Sequence, residues 1–249
     1  MMSMITCLTL NIRFGLADDG PNSWNYRKAA IGPLLEEFSA DFFAFQETNG
    51  FQIDYLREIL PDHQFIGQRS PAPPFWQNNI IFYHNSWELK DWHHIFLSHV
   101  PSLPSRFAIS RWPRQCTMAI FEKKNQKVCC LSTHFDFNED VQVKSAKIIL
   151  RCLQKFCPDL PILIMGDFNT VPLSSCHNVF TGAGAFRHTF TPPFPNTHHG
   201  FGKKCEGGHI DWILYKGRLK TKTALVVQKK YEGYFPSDHY PVYVSFNCK

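Results

Sequence analysis

Short apolar segments recur along the chain, and turn-forming residues separate them. The segments are rich in β-branched and aromatic residues, which is typical of strands in a buried sheet. The pattern predicts ten strands, at residues 5–12, 42–46, 80–84, 87–97, 116–122, 128–133, 160–165, 210–215, 223–229 and 240–246.

Two segments instead show the spacing of an amphipathic helix. Residues 51–60 carry apolar side chains at 51, 53, 56, 59 and 60 and end at Pro61, and residues 140–156 form the longest such stripe. A third helix is predicted between residues 26 and 38, where Gly32-Pro33 falls inside the pattern. Because proline removes a helix hydrogen bond, this helix is kinked or begins again at Pro33.

The order of these elements predicts an α/β (α+β) fold. Many strands, with helices between non-adjacent ones, indicate two packed sheets with helices outside them, in two or four layers. A chain of 249 residues is long enough to bury a large core, and we expect one domain over residues 1–249.

Polar side chains lie at or next to the ends of several predicted strands. They are Asn11, Glu47, His134, Asp136, Asp167, Asn169, Asp211, Asp238 and His239. Each has an ordinary explanation by itself, since Asn and Asp commonly form turns and a histidine beside aromatic residues often only packs. Taken together they predict one site.

The residue types in this group suit phosphoryl chemistry. Mg²⁺ prefers an oxygen shell with one or two carboxylates, a need that Glu47 and Asn11 meet. Asp167 and Asn169 are two positions apart, so in an extended backbone both side chains face the same way, one to activate a water and the other to hold it. His239 is a candidate phosphate ligand or proton-transfer group, with Asp211 to fix its tautomer.

Six motifs carry a family resemblance. They are Leu-Asn-Ile-Arg at 10–13, Gln-Glu-Thr at 46–48, Ser-Thr-His-Phe-Asp at 132–136, Gly-Asp-Phe-Asn at 166–169, His-Ile-Asp-Trp-Ile at 209–213 and Ser-Asp-His-Tyr-Pro-Val at 237–242. In this order the chain resembles the endonuclease/exonuclease/phosphatase superfamily, and most of all its compact bacterial members. The resemblance implies a four-layer α/β/β/α sandwich of two mainly antiparallel sheets and a phosphoesterase that uses Mg²⁺ or Mn²⁺.

The resemblance also implies three groups of site residues. The metal residues are Asn11, Glu47 and Asp238, the last of which lies beside the metal or supports His239. The catalytic residues are His134, Asp167, Asn169, Asp211 and His239. The substrate-binding residues are Asn79, Arg114 and Asp136.

The chain departs from the deoxyribonuclease-like pattern at Gln77. In deoxyribonuclease-like members, a glutamate two residues before the position of Asn79 supports the equivalent of His134. Because a neutral amide does not favour imidazolium as a carboxylate does, we expect His134 to donate a hydrogen bond to phosphate more than to act as a general acid.

Charge leaves the substrate class open. The net charge of +5 suits an anionic substrate, and the basic clusters at Lys123-Lys124, Lys203-Lys204 and 216–222 are expected to be solvated surface. Nucleic acid, a nucleotide, a phosphosugar and a phospholipid head group all fit. A role in DNA repair is disfavoured because no long basic or wedge-bearing insertion is present.

Other features predict the setting of the protein. Nine cysteines at irregular spacings indicate reduced, mostly buried thiols, and no segment resembles a signal peptide or a membrane span, so we expect a cytoplasmic monomer without stable membrane association. His198-His199, Cys205 and His209 are interpreted as part of a flexible substrate-side loop in preference to a zinc site. The loop 69–77 either stacks on a base, sugar or lipid tail or packs on its own aromatic side chains.

Two alternatives to the enzyme remain. One is a binding module that keeps the fold without turnover, which the complete set of catalytic residue types disfavours. The other is a sphingomyelinase-like phospholipid phosphodiesterase, which the lack of a signal peptide disfavours.

Overall fold

The computed structural model describes residues 4–202 and 207–248, in which helices and strands alternate irregularly. The helices are α1 Trp24–Arg27, α2 Ile31–Glu37, α3 Gly50–Ile59, α4 Glu139–Phe156 and α5 Ser175–Thr181. The strands are β1 Met4–Asn11, β2 Phe42–Thr48, β3 His63–Ile66, β4 Asn78–His84, β5 Glu88–Phe96, β6 Gln115–Lys123, β7 Gln126–His134, β8 Ile162–Asp167, β9 Arg187–His188, β10 Asp211–Lys216, β11 Leu219–Val226 and β12 Val242–Cys248.

The strands form two six-stranded sheets with the same internal plan. One sheet has the order β11-β12-β1-β2-β4-β3, and the other has the order β5-β6-β7-β8-β10-β9. Each sheet contains one parallel pair at its centre, β1 with β2 and β7 with β8, while the remaining pairs are antiparallel. The carboxyl ends of the two central strands therefore lie side by side at the same end of each sheet.

Three apolar layers hold the four structural layers together. The middle layer joins the two sheets through side chains such as Phe42, Phe121 and Met165. The outer layers pack α4 and α5 on one sheet and α1, α2 and α3 on the other. Burial of this much apolar surface is the main stabilising term of the fold. The four-layer α/β/β/α prediction is confirmed.

The strand predictions identify the central strands and miss two short ones. All ten predicted strands are present with shifted ends, whereas β3 and β9 were not predicted. Both unpredicted strands lie at sheet edges. They have four and two residues and contain polar side chains, so each is too short to show a recognisable strand pattern in the sequence. The helix α5 was also missed.

The predicted interruption around Pro33 is present, but the helix restarts two residues before the proline. A single 3-10 turn at Lys28–Ala30 separates α1 from α2, and the helix begins again at Ile31. Pro33 thus lies in the first turn of α2, where a missing N–H removes no helix hydrogen bond.

The cysteines are thiols wherever the structure describes them. The eight within 4–202 and 207–248 are free, and six of these are buried. None of the helices in that part of the chain is long and apolar enough to cross a bilayer.

Candidate active site

One row of residues crosses the sheet that contains β7, β8 and β10. Parallel pairing of β7 with β8 sets His134 opposite Asp167, and antiparallel pairing of β8 with β10 sets Asp167 opposite Asp211. Three titratable groups from distant parts of the chain therefore meet at the edge where β7 and β8 end.

The other sheet supplies the facing half of the site. Asn11 is the last residue of β1 and pairs with Gln46 of β2. The register of β2 then shifts between Phe45 and Thr48, and Glu47 lies in this irregularity with φ of 61°. A bulge of this kind redirects a side chain relative to the regular strand.

The amide of Asn11 connects the two sheets. Its Nδ2 donates to Asp167 Oδ2 at 2.9 Å and to Glu47 Oε1 at 3.2 Å. Its Oδ1 accepts from the backbone N–H of Arg13 at 2.9 Å. In this arrangement the amide nitrogen, and not the oxygen, faces the two carboxylates, so Asn11 holds them side by side.

Asp167 and Asn169 reach the site through a turn. The sequence predicted an extended backbone over both residues, and this prediction is wrong. β8 ends at Asp167, the Asn169 N–H donates to Asp167 Oδ1 at 2.9 Å, and Asn169 has φ of 50°. Asp and Asn favour this local bond and tolerate the left-handed conformation.

His239 and Asp211 form a buried pair. The distance from His239 Nδ1 to Asp211 Oδ2 is 2.9 Å, and His239 Nε2 lies 3.8 Å from Asp167 Oδ2. Burial on its own lowers the pKa of His239, but the carboxylates of Asp211 and Asp167 outweigh burial and raise that pKa to about 10. The imidazole is therefore a cation at neutral pH, with its Nε2–H directed at the site.

Asp238 lies beside this pair, where Ser237 donates to it and Arg13 forms an ion pair with it. Ser237 Oγ donates to Asp238 Oδ1 at 3.1 Å, and Arg13 Nε lies 3.6 Å from Asp238 Oδ2. Burial by itself raises the pKa of Asp238, but the charges of His239 and Arg13 lower it below the usual value. Asp238 is therefore a carboxylate.

His134 is neutral in this environment. Burial lowers its pKa well below the usual range, and the charges of Arg114 and His239 lower it further. Asn169 Nδ2 donates to His134 Nε2 at 3.0 Å, which leaves the ring proton on Nδ1, 4.0 Å from Glu47 Oε1. Gln77 lines the same pocket as His134.

The residues predicted to bind substrate lie on one side of His134. A pocket of about 620 Å³ is lined by Asn79, Arg114 and His134 together with the aromatic rings of Phe14, Phe75, Trp76 and Trp112. Asp136 Oδ2 faces Arg114 Nε at 4.0 Å, so Asp136 lies next to the guanidinium of Arg114. The loop 69–77 thus contributes Phe75 and Trp76 to a cavity that is also lined by His134, one of the predicted catalytic residues.

Sequence reasoning placed His198 only in a substrate-side loop and did not identify Thr197, although both residues belong to the site. The His198 ring lies 4.6 Å from the His239 ring, and a ligand atom of His198 lies within 4.8 Å of those of Asp238 and His239. Thr197 Oγ1 accepts from the N–H of Asp211 at 3.0 Å and so holds its backbone. Both positions depend on a bridge between His198 and His239 that no local pattern indicates.

The other histidines that were weighed for a zinc site, and set aside in favour of a loop, do not lie with His198. The His209 ring packs on His188, Phe190 and Phe194, with Nδ1 directed at the Pro195 carbonyl. His199 stacks on Tyr240. Cys205 and Lys203-Lys204 lie outside the described residues.

The donor set fits a divalent cation. Glu47 accepts the N–H of Phe14 at 2.7 Å and one N–H of Asn11, and has no lysine or arginine partner within 4–202 and 207–248. The amide of Asn11 holds a second carboxylate, that of Asp167, beside it. Asp167 already has the charged His239 at 3.8 Å, so Glu47 is the carboxylate that remains available for a hard ion such as Mg²⁺ or Mn²⁺.

Solved structures resemble the fold over nearly its whole length. An endonuclease/exonuclease/phosphatase from Bacteroides vulgatus has a TM-score of 0.91 at 23% identity and covers 99% of this chain and 100% of its own. The mannosyl-6-phosphatase Bt3783 of Bacteroides thetaiotaomicron has a TM-score of 0.85 at 23% identity, with coverage of 97% and 99%. D. rerio TDP2 complexed with single-strand DNA product has a TM-score of 0.78 at 15% identity, with coverage of 98% and 99%.

Comparison with the sequences of curated proteins gives no match. The family model described as the endonuclease/exonuclease/phosphatase family matches residues 8–239. That range contains every residue of the candidate site. The chain therefore belongs to the endonuclease/exonuclease/phosphatase family.

Proposed function

We propose that the protein is a divalent-metal-dependent hydrolase that cleaves a phosphate ester by in-line attack of water. The observation that carries this proposal is that the amide of Asn11 joins the carboxylates of Glu47 and Asp167 across the two sheets, while His239 lies 3.8 Å from Asp167. We take residues 1–249 as one catalytic domain that acts as a monomer.

Glu47, with Asp238 as a second carboxylate, would hold Mg²⁺ or Mn²⁺, and Asn11 would position Glu47. The bound ion would polarise the phosphoryl oxygens and offset the charge that develops on them. Asn11 keeps the carboxylates of Glu47 and Asp167 adjacent before any substrate binds. Such preorganisation lowers the reorganisation cost of the reaction.

Asp167 is the base in this proposal. Burial raises the pKa of its carboxyl group, although His239 and Asn11 favour the charged form, and a raised pKa makes a carboxylate a better proton acceptor. Asp167 takes the proton of the attacking water while the new O–P bond forms, and the leaving oxygen departs on the opposite side and takes a proton from solvent. The side-chain oxygen of Asn169 orients that water.

Two histidines stabilise the phosphoryl oxygens in different ways. His239 is charged and donates from Nε2, with Asp211 fixing its orientation through Nδ1. His134 is neutral and donates from Nδ1, as its bond from Asn169 requires. Because these donors are fixed before substrate arrives, they act mainly on the transition state.

The aromatic pocket would hold the organic group of the substrate that is attached to the phosphate. Its rings suit a planar or apolar group, and Arg114 supplies a charge for a second phosphate. Two structural relatives are named for mannosyl 6-phosphate hydrolysis and for a complex with single-strand DNA product, so both substrate classes belong in the screen.

The test is hydrolysis of bis-para-nitrophenyl phosphate with Mg²⁺ and Mn²⁺, with and without chelator. We expect release that needs the metal and that Asp167→Asn abolishes. Folded protein that releases nothing with either metal would favour a binding module instead. A parallel screen of sugar phosphates, nucleotides and oligonucleotides then ranks substrate classes.

A further inference from the structure

A second cavity lies away from the catalytic side chains, between α4 and the loop 97–114. It has a volume of about 530 Å³, and its apolar lining includes Phe107 and Ile148. Lys144, Lys147, Arg151 and Lys155 of α4 also line it. None of its ten lining residues is acidic. We call this cavity the α4 groove.

The four cations form one line. Their spacing of three or four residues puts them on a single face of α4, where successive charges lie about 4.5–6 Å apart along the axis and the whole line spans about 16 Å. No aspartate or glutamate of residues 4–202 and 207–248 forms an ion pair with any of them. Unneutralised cations in a line create a local field that attracts a linear polyanion.

The loop 97–114 connects the groove with the candidate active site. Phe107 lines the α4 groove, whereas Trp112 and Arg114 line the aromatic pocket. The rim of that pocket also carries rings paired with guanidinium groups, since Arg111 lies 5.0 Å from the Trp112 ring and Arg114 lies 5.5 Å from the Phe137 ring. The Trp112 and Phe137 side chains are 53% and 75% exposed.

We propose that the α4 groove binds the phosphodiester backbone of single-stranded nucleic acid, with one end of the strand at the catalytic side chains. Cations that follow a backbone and exposed rings on which bases stack are the combination that binds single strands without sequence preference. The inference deepens the proposed function, on which it rests, by naming the substrate class.

The shape of the groove favours a strand over an anionic membrane. A flat bilayer contacts protruding surfaces, whereas the apolar floor formed by Phe107 and Ile148 is recessed between the helix and the loop. A flexible strand enters such a recess, with its phosphates on the lysines and its sugars and bases on the apolar floor.

The test uses two matched triple variants of the full chain. Lys147→Gln/Arg151→Gln/Lys155→Gln removes three exposed cations from the groove, and Arg218→Gln/Lys220→Gln/Lys222→Gln removes one arginine and two lysines that are exposed on or next to β11 of the other sheet. All six positions are exposed, so both variants are expected to fold. The net charge is the same in both.

Fluorescence anisotropy with a labelled single strand of about twenty nucleotides, in chelator to prevent turnover, measures affinity against salt. We expect the groove variant to bind the strand about tenfold or more weakly than the original chain. The slope of log affinity against log salt concentration should fall by about 2 in magnitude, since each phosphate contact contributes about 0.7 for single strands and three cations are removed. The β11 variant should bind like the original chain. Both variants should hydrolyse bis-para-nitrophenyl phosphate at the original rate.

Equal strand binding by the two triple variants would overturn the proposal, as would an original chain that binds a mononucleotide as tightly as the strand. Loss of binding to phosphatidylserine vesicles in the groove variant, with strand binding intact, would assign the groove to lipid and would also overturn it. If the small diester is hydrolysed while no strand binds, the groove proposal fails and the proposed function stands. If strands bind through the groove and no ester is cleaved, strand binding by the groove stands and the proposed hydrolysis fails.

Discussion

Three residues of the candidate site have left-handed backbone conformations that residues other than glycine rarely adopt. Arg13, Glu47 and Asn169 have φ of 63°, 61° and 50°. Each such residue costs on the order of 1–3 kcal/mol and persists only where the surrounding contacts hold it. Here Asn11, Phe14 and Asp167 hydrogen-bond to these residues. The surrounding hydrogen bonds therefore hold the carboxylates in position before any ligand binds.

At Glu47 we predict that Glu47→Gln weakens Mn²⁺ binding by tenfold or more, while the protein stays folded. The amide keeps the size of the side chain and removes the charge that a hard cation needs. Isothermal titration with Mn²⁺ measures the change. Glu36→Gln, at an exposed position of α2, is the control and should bind Mn²⁺ normally. Unchanged affinity in Glu47→Gln would remove Glu47 from the metal site.

At Asp167 we predict that Asp167→Asn lowers kcat by about 10³-fold or more, because the amide cannot take a proton from water. The metal affinity of this variant should change much less than its turnover. Steady-state kinetics on bis-para-nitrophenyl phosphate test this, with the exposed Asp159→Asn as control. Turnover within a few fold of the original chain would contradict a role as the base.

At the scale of elements, the site depends on how closely two strands approach. Gly166 of β8 has φ of 153°, and a Cβ at this position would lie 2.0 Å from the Thr133 carbonyl oxygen of β7. The neighbouring atom is backbone and cannot move away without breaking the pairing that sets His134 opposite Asp167. The glycine of the Gly-Asp-Phe-Asn motif therefore has a structural function of its own.

We predict that Gly166→Ala lowers the free energy of unfolding by about 3 kcal/mol or more, because overpacking against backbone displaces a central strand. Gly32→Ala is the control. It lies in α2, where an added Cβ would meet no atom within 4 Å apart from those of its chain neighbours, so alanine there should change stability by less than about 1 kcal/mol. Urea unfolding measures both variants. A Gly166→Ala variant as stable as the original chain would show that β7 and β8 can separate without a loss of stability.

At the scale of the whole molecule, two histidines beside Trp212, the buried His209 and the partly buried His188, are held neutral. Burial lowers the pKa of His188 to about 3 and that of His209 to about 4, and these two rings lie 5.1 Å apart beside Trp212. His209 Nδ1 is directed at the Pro195 carbonyl, two residues before Thr197. The cluster therefore supports the loop that carries Thr197 and His198 to the site.

We predict that stability is greatest near neutral pH and falls as the pH drops from about 6.5 towards 4. In that window the unfolded chain binds protons at these histidines and the folded chain does not, so each contributes a loss of about 1.4 kcal/mol per pH unit. Urea midpoints at about pH 7 and pH 5 measure the fall. His188→Phe should reduce the pH dependence and the exposed His93→Gln should leave it unchanged. Identical pH dependence in His188→Phe would contradict this cause.

Much of the fold and of the candidate site was predictable from the sequence. The strands 42–46 and 128–133 are apolar enough to be central strands, and the motifs that follow them contain Glu47 and His134. Period-two and period-3.6 patterns are local, so a single sequence reveals them. The chain thereby determines which residue types end which strands, and the six motifs together indicate the family.

The tertiary structure alone decided how those residues meet. Asn11 and Asp167 are separated by 156 positions and share a hydrogen bond because the two sheets face each other. The sequence also did not indicate the α4 groove, because its four cations are spaced along a helix over residues 144–155 and do not form one continuous basic run. Contacts of this kind depend on strand register and sheet packing, which are set by the whole core and not by any local segment.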